Sequence, residues 1–254
     1  MVKRELNILL TAVMFYTRIP VPKSIGYSSG MLNKATRYFP FTGYLVGGLG
    51  SLVFIGANKA LSIDVAVICS IAAMVLFTGA FHEDAFADFC DGFGGGHNRE
   101  KILSIMKDSR IGTYGAVGLS LLFLFKYVLL CESDVSIFPV ILISAHVLSR
   151  IIVVILIYTS QYVGNTEVSK SKPVGDKMPV GTFIISVLWI VPLFYFLEIR
   201  TILYILPVQL ILLVYFRYYI HKKTGGYTGD VLGALQQMSE ILFYISFLIY
   251  TALS

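Results

Sequence analysis

The chain has 254 residues, 56% of them hydrophobic and only 14% charged, with a mean hydropathy of +0.77. A soluble domain carries about 25% charged residues and sets its apolar positions in stripes, so long apolar blocks exclude a water-soluble fold and indicate a polytopic membrane protein. The net charge of +5 is scattered over several loops, which speaks against nucleic acid as a partner and for the basic cytoplasmic loops of a protein held in a lipid bilayer.

Taken in chain order, the basic start MVKRE leads into an apolar segment at 6–16 and then into TRIPVPK, with no small-residue cleavage pattern. Both flanks of 6–16 are basic, so it is expected as an interfacial or re-entrant helix. Candidate spans follow at 38–57, 63–81, 113–131, 135–158, 180–198, 200–220 and 231–253, since a crossing needs about 20 apolar residues. The expectation is an all-α membrane bundle of about seven transmembrane helices, one domain over 1–254. In the first span Gly43 and Gly47 have the spacing that lets membrane helices approach closely. Cys69, Cys90 and Cys131 form no CxxC pair and read as small apolar residues.

Lys and Arg alternate from loop to loop. Arg18, Lys23, Lys34 and Arg37 precede the first span, and only Lys59 follows it. Arg99, Lys101, Lys107 and Arg110 come next, then a connection with none, then Lys170, Lys172 and Lys177, then Arg200 alone, then Arg217, Lys222 and Lys223. The basic loops belong on the cytoplasmic side, and every loop with unusual polar chemistry falls there.

The most unusual of these is FHEDAFADFCDGFGGG, Phe81 to Gly96, which follows seventeen uncharged residues from Val65 to Phe81. If the preceding helix continues through it, Asp84, Asp88 and Asp91 share one face at i, i+4 and i+7. Three aligned carboxylates repel unless a cation lies between them, and magnesium, held by one or two carboxylates together with substrate phosphates, suits such a set. Gly92 and Gly94 to Gly96 would then end the helix and, Gly94 and Gly95 above all, let backbone amides approach an anion. IMKDSRIGTYG adds Lys107 and Arg110 near the metal, with Asp108 as a further ligand or an orienting group. Cations beside a carboxylate-bound metal point to a phosphate or diphosphate substrate.

Other polar groups carry weaker signals. Glu83 lies off the stripe and reads as solvated, and His82 as a general base or a group behind the ligands. His146 and Arg150 share a helical face and could meet an anion or a carboxylate; Lys126 reads as snorkelling to the interface. Asp230, in GGYTGDVLGA, either favours a helix N-terminus or joins the same site.

HEDAFADFCDGFGGG followed by IMKDSRIGTYG closely resembles the hallmark of the cobalamin synthase family, adenosylcobinamide-GDP ribazoletransferase. TRIPVP, YFPFTGYLVGG, the LSR of the middle helix and GGYTGDVLGA are similar to it in the same order, so the resemblance covers essentially the whole chain. It implies a magnesium-dependent, multi-pass enzyme of the cell inner membrane, acting on adenosylcobinamide-GDP and alpha-ribazole or its 5'-phosphate and releasing GMP. Asp84, Asp88 and Asp91 match the family's aspartates, Lys107, Asp108 and Arg110 its KDSR, and Arg150 and Asp230 polar positions of later helices. Ala85 and Gln237 depart from the pattern, Ala85 with the expected effect of stiffening the helix. Docking with other enzymes of nucleotide-loop assembly is a further expectation. Prenyltransferases usually carry two aspartate-rich motifs, CDP-alcohol phosphotransferases an Asp-Gly and Ala-Arg pattern, and transporters an inverted repeat; none of these is evident.

Overall fold

A computed structural model describes residues 2–22, 25, 29–164 and 178–253. Lys23, Lys170, Lys172 and Lys177, used above for orientation, lie outside the described residues. The architecture is all-α: α1 Val2–Tyr16, α2 Ser29–Ala35, α3 Phe39–Ala57, α4 Ile63–Thr78, α5 Phe81–Gly95, α6 Arg99–Ile105, α7 Thr113–Cys131, α8 Phe138–Thr159, α9 Val180–Leu188, α10 Leu193–Phe196, α11 Ile199–Thr224 and α12 Gly229–Leu253.

Five stretches are long and apolar enough to cross a bilayer: Gly30–Ala57, which ends in α3, and the helices α7, α8, α11 and α12. A sixth counts if α4 and α5 form one broken span. Among the described residues this is one or two fewer than the expected seven, and two local causes account for the difference. Segment 180–198 breaks after α9, a nine-residue helix, and Pro192 caps the short α10 that follows. At 1.5 Å per residue α9 reaches only about 14 Å. The run 63–81 stops at Thr78, and the helix does not continue into the acidic stretch as expected. Gly79 and Ala80 both adopt left-handed backbone (φ 68° and 56°), and α5 leaves α4 at 88°. Gly79 has a reason to be glycine beyond its φ, because a Cβ there would meet the Arg18 guanidinium.

α8 is the axis of the bundle, with 83% of its apolar window buried against α3, α12 and neighbouring helices. The α3 contact is close because a Cβ on Gly43 would lie 2.6 Å from the His146 carbonyl oxygen, and one on Gly47 2.7 Å from Ile143 Cα. The small-residue spacing seen in the sequence is thus the α3–α8 seam. Around the rim α7 and α11 turn Leu121, Leu124, Ile211 and Val214 outward, as helices facing lipid do. α1, at 15 residues, is not among the spans and packs on α2 and α3.

Candidate active site

α5 carries the chemistry. Once it has turned off α4 it lies against the first half of α12 and against α7. Small residues allow both approaches: Ala85 packs on Gly233 of α12 so closely that no side chain would fit at Gly233, and α7 meets α5 through Gly112, Gly115 and Gly118, the last facing the Cys90 sulfur. Ala85 therefore does more than stiffen its helix, because it forms half of the α5–α12 contact.

The aspartates have different surroundings. Asp84 is exposed and Asp88 half-buried. Asp91 is buried; its Oδ2 accepts from Gly112 N at 2.7 Å and its Oδ1 from Gly115 N at 2.8 Å. Both oxygens are thus committed to free amides at the start of α7, the groups a helix N-terminus leaves unpaired. A Cβ on Gly112 or Gly115 would strike this carboxylate. Asp230 at the start of α12 joins the acidic cluster, within electrostatic reach of Asp88, as are Asp84 and Asp91. Among the described residues no ion pair engages Asp84, Asp88 or Asp230.

The glycines behave differently from expectation. α5 runs through Gly95, and Gly96 N bonds back to Gly92 O at 2.9 Å, so the amides of Gly94 and Gly95 belong to the helical ladder and do not face an anion. What these glycines provide is room: a Cβ on Gly94 would meet the Tyr114 ring, and ones on Gly92 and Gly96 would meet Met106 and Ile102 of the returning α6 segment.

The KDSR turn stands in solvent. Arg110 clamps Asp108 through Nε–Oδ1 (3.0 Å) and Nη2–Oδ2 (2.7 Å), which holds the Asp108 carboxyl down at about 2. Lys107 is exposed. The turn joins the acidic site through its continuation, since Gly112 is two residues past Arg110 and binds Asp91. The loop before α12 reaches the same end, with Gly225 near the Arg99 guanidinium. Thr228 Oγ1 accepts from Val231 N at 3.4 Å, which sets the first turn of α12 and thereby the place of Asp230.

Behind α5, inside the bundle, lies a second polar set that sequence reasoning did not assemble. Glu240 is fully buried and paired with Lys126 at 2.8 Å, so Lys126 does not snorkel to the interface. Glu240 also accepts from Gln236 Nε2 (2.8 Å) and the Tyr244 hydroxyl (3.1 Å), and lies 3.4 Å from His146 Nδ1. Arg150, 1% exposed, donates to the His146 carbonyl at 2.8 Å and stacks 5.5 Å from the Phe39 ring. Glu83 is buried, contrary to its reading as solvated, and its Oε1 accepts from Gln237 Nε2 at 3.0 Å. This network ties α5, α7, α8 and α12 together. His82 is buried as well, between Phe39 and Phe81, with no hydrogen-bond partner at Nε2.

A cation fits the outer cluster only in part from protein groups. Among the described residues no three His, Cys, Asp or Glu side chains are grouped so that they alone could hold a metal ion. An incomplete set of carboxylates without a protein counter-charge is the donor set expected where substrate phosphates finish the coordination of magnesium.

A family model described as cobalamin-5-phosphate synthase matches residues 8–248. A protein of Vibrio cholerae named adenosylcobinamide-GDP ribazoletransferase is 41% identical over 97% of this chain and 95% of its own length. One of the same name from Shewanella frigidimarina is 42% identical over 95% of this chain and 94% of its own. No solved structure matches. With the family model spanning nearly the whole chain and relatives above 40% identity at full length, this chain belongs to the cobalamin-5-phosphate synthase family, membrane transferases of cobalamin synthesis.

Proposed function

We propose that the chain joins the two halves of the cobalamin nucleotide loop. A ribose hydroxyl of alpha-ribazole, or of its 5'-phosphate, attacks the phosphorus nearest the cobinamide in adenosylcobinamide-GDP. A new P–O bond forms, the bond to the bridging oxygen breaks, GMP departs with that oxygen, and the hydroxyl proton is lost. The observation that carries this reading is the group Asp84, Asp88 and Asp230, three carboxylates from two helices that form no ion pair among the described residues. The names of the relatives support the substrates.

Magnesium held by one or two of Asp84, Asp88 and Asp230 together with the substrate phosphates would neutralise the diphosphate and make its bridging oxygen a better leaving group. The chain's own part is positioning. Asp91 anchors the start of α7 to α5, Gln237 ties Glu83 to α12, and Lys107 and Arg110 place positive charge in a solvent-exposed turn where the departing phosphate can meet it. The alternation of basic loops supports an inner-membrane location with this end of the bundle in the cytoplasm.

The test is direct assay of purified protein with adenosylcobinamide-GDP and alpha-ribazole, scoring adenosylcobalamin by mass and GMP by chromatography. Product should form with magnesium and stop with a chelator. GMP release accompanied by adenosylcobinamide phosphate instead of adenosylcobalamin would mean hydrolysis, and would refute the transfer.

A further inference from the structure

Beside the carboxylates lies a recess that the reaction as described does not use. Its walls are Phe15 and Tyr16 from the end of α1, Phe39 from the start of α3 and Phe81 with His82 from the start of α5. α12 contributes Gly229 and Gly233, which present no side chain, together with Leu232, and α8 contributes Val153. The rings are in mutual contact: Tyr16 and Phe39 are 4.2 Å apart and tilted by 31°, while Phe15 meets Phe81 edge-on at 5.4 Å. The recess encloses about 380 Å³ free of atoms, open solvent included, and the centre of a water-sized sphere can move through about 40 Å³ of it. A single benzene ring needs a cavity of roughly 150 Å³. A larger guest therefore requires wall side chains to shift, and of these Phe81 stands 40% exposed.

We propose that this recess receives the flat aromatic base of the nucleoside acceptor; the identification of that acceptor rests on the function proposed above. Three observations favour such a guest. Four aromatic rings, two glycines and the apolar side chains of Val153 and Leu232 suit a planar, apolar ring system, which the rings can grip by stacking. The walls include the buried His82, whose Nε2 has no hydrogen-bond partner among the described residues, and a nitrogen heterocycle offers it one where a lipid chain would not. The recess also adjoins the carboxylates through the chain itself: Gly229 precedes Asp230, and His82 lies two residues before Asp84. A base seated there leaves its ribose next to the acidic cluster, where the attacking hydroxyl has to be. The same placement gives a role to Tyr16, just ahead of TRIPVP, and to Phe39 of YFPFTGY, sequence features that the diphosphate chemistry leaves without one.

The experiment is steady-state kinetics of the purified full-length protein, varying alpha-ribazole and adenosylcobinamide-GDP separately, for wild type, Phe15→Ala and Phe81→Leu. Losing one stacking face should raise the KM for alpha-ribazole about tenfold while the KM for the diphosphate donor stays within about twofold. Unchanged KM for alpha-ribazole in both variants, or an equal rise in both KM values, overturns the proposal while leaving the transfer reaction standing. Equilibrium dialysis of alpha-ribazole against the same proteins supplies a readout that needs no turnover. If wild type binds alpha-ribazole and the variants bind about tenfold more weakly, the recess is the base site even should the assay show no transfer. If wild type does not bind it, or if a co-purified lipid persists at saturating alpha-ribazole, the proposal fails.

Discussion

Lys126 of α7 and Glu240 of α12 meet at 2.8 Å in the middle of the bundle, 4% and 0% exposed. Charges in such a place are costly, and each is tolerable only because the other is there. Glu240→Ala leaves an uncompensated ammonium and should cost about 3–5 kcal/mol. Joining it to Lys126→Met should recover most of that loss. Reversible unfolding in detergent, measured for both singles and the double, checks this; additive losses would show that the pair is not coupled.

Asp91 and Asp84 should respond oppositely to loss of the carboxylate. With two α7 amides bound to Asp91, Asp91→Ala should destabilise by about 1–2 kcal/mol, the scale of a lost helix cap, and lower activity in step with stability. Asp84→Asn removes a repelling charge from the cluster and should leave stability equal or higher while activity falls. Thermal unfolding recorded beside rate for each variant separates the two roles.

If Asp84, Asp88 and Asp230 share a cation, magnesium should raise the unfolding temperature of the wild type in proportion to the logarithm of its concentration once above its Kd. The increment should vanish in Asp84→Asn with Asp88→Asn and persist in Asp91→Asn. A magnesium shift that survives the double change would place the cation elsewhere.

Gly47→Ala should cost about 1–3 kcal/mol, since its Cβ would sit 2.7 Å from Ile143 Cα and separate α3 from α8. Gly48→Ala, where nothing lies within 4 Å, is the control and should be neutral.

Much of this molecule is written in local sequence, and what is not has a common cause. Apolar runs long enough to span give α3, α7, α8, α11 and α12 to within about four residues at each end, because length and hydropathy decide a crossing. The breaks at Gly79–Ala80 and Trp189–Pro192 depend on one or two backbone conformations, which an apolar count does not register. The i, i+4 spacing correctly puts Asp84 and Asp88 on one helix. It could not show that Asp91, in the same register, faces α7 instead, although the glycines of IGTYGAVG are the trace of that close contact. Glu83, Lys126 and Glu240 are far apart in the chain, and each alone looks like a surface or snorkelling charge. Their pairing follows from helix packing, with Gly233 against Ala85 bringing α12 onto α5.

The central claim is that the acidic cluster of α5 and α12 is the catalytic metal–diphosphate site. The measurement that tests it most directly is the rate of GMP release from adenosylcobinamide-GDP, with alpha-ribazole and magnesium, for wild type, Asp84→Asn, Asp88→Asn and Asp230→Asn at matched folded protein. The account predicts at least a hundredfold loss in each variant, on the order of removing one main electrostatic contributor to the transition state, with unfolding temperatures no lower than wild type. Full activity in Asp84→Asn and Asp88→Asn would contradict it and move the chemistry away from this cluster.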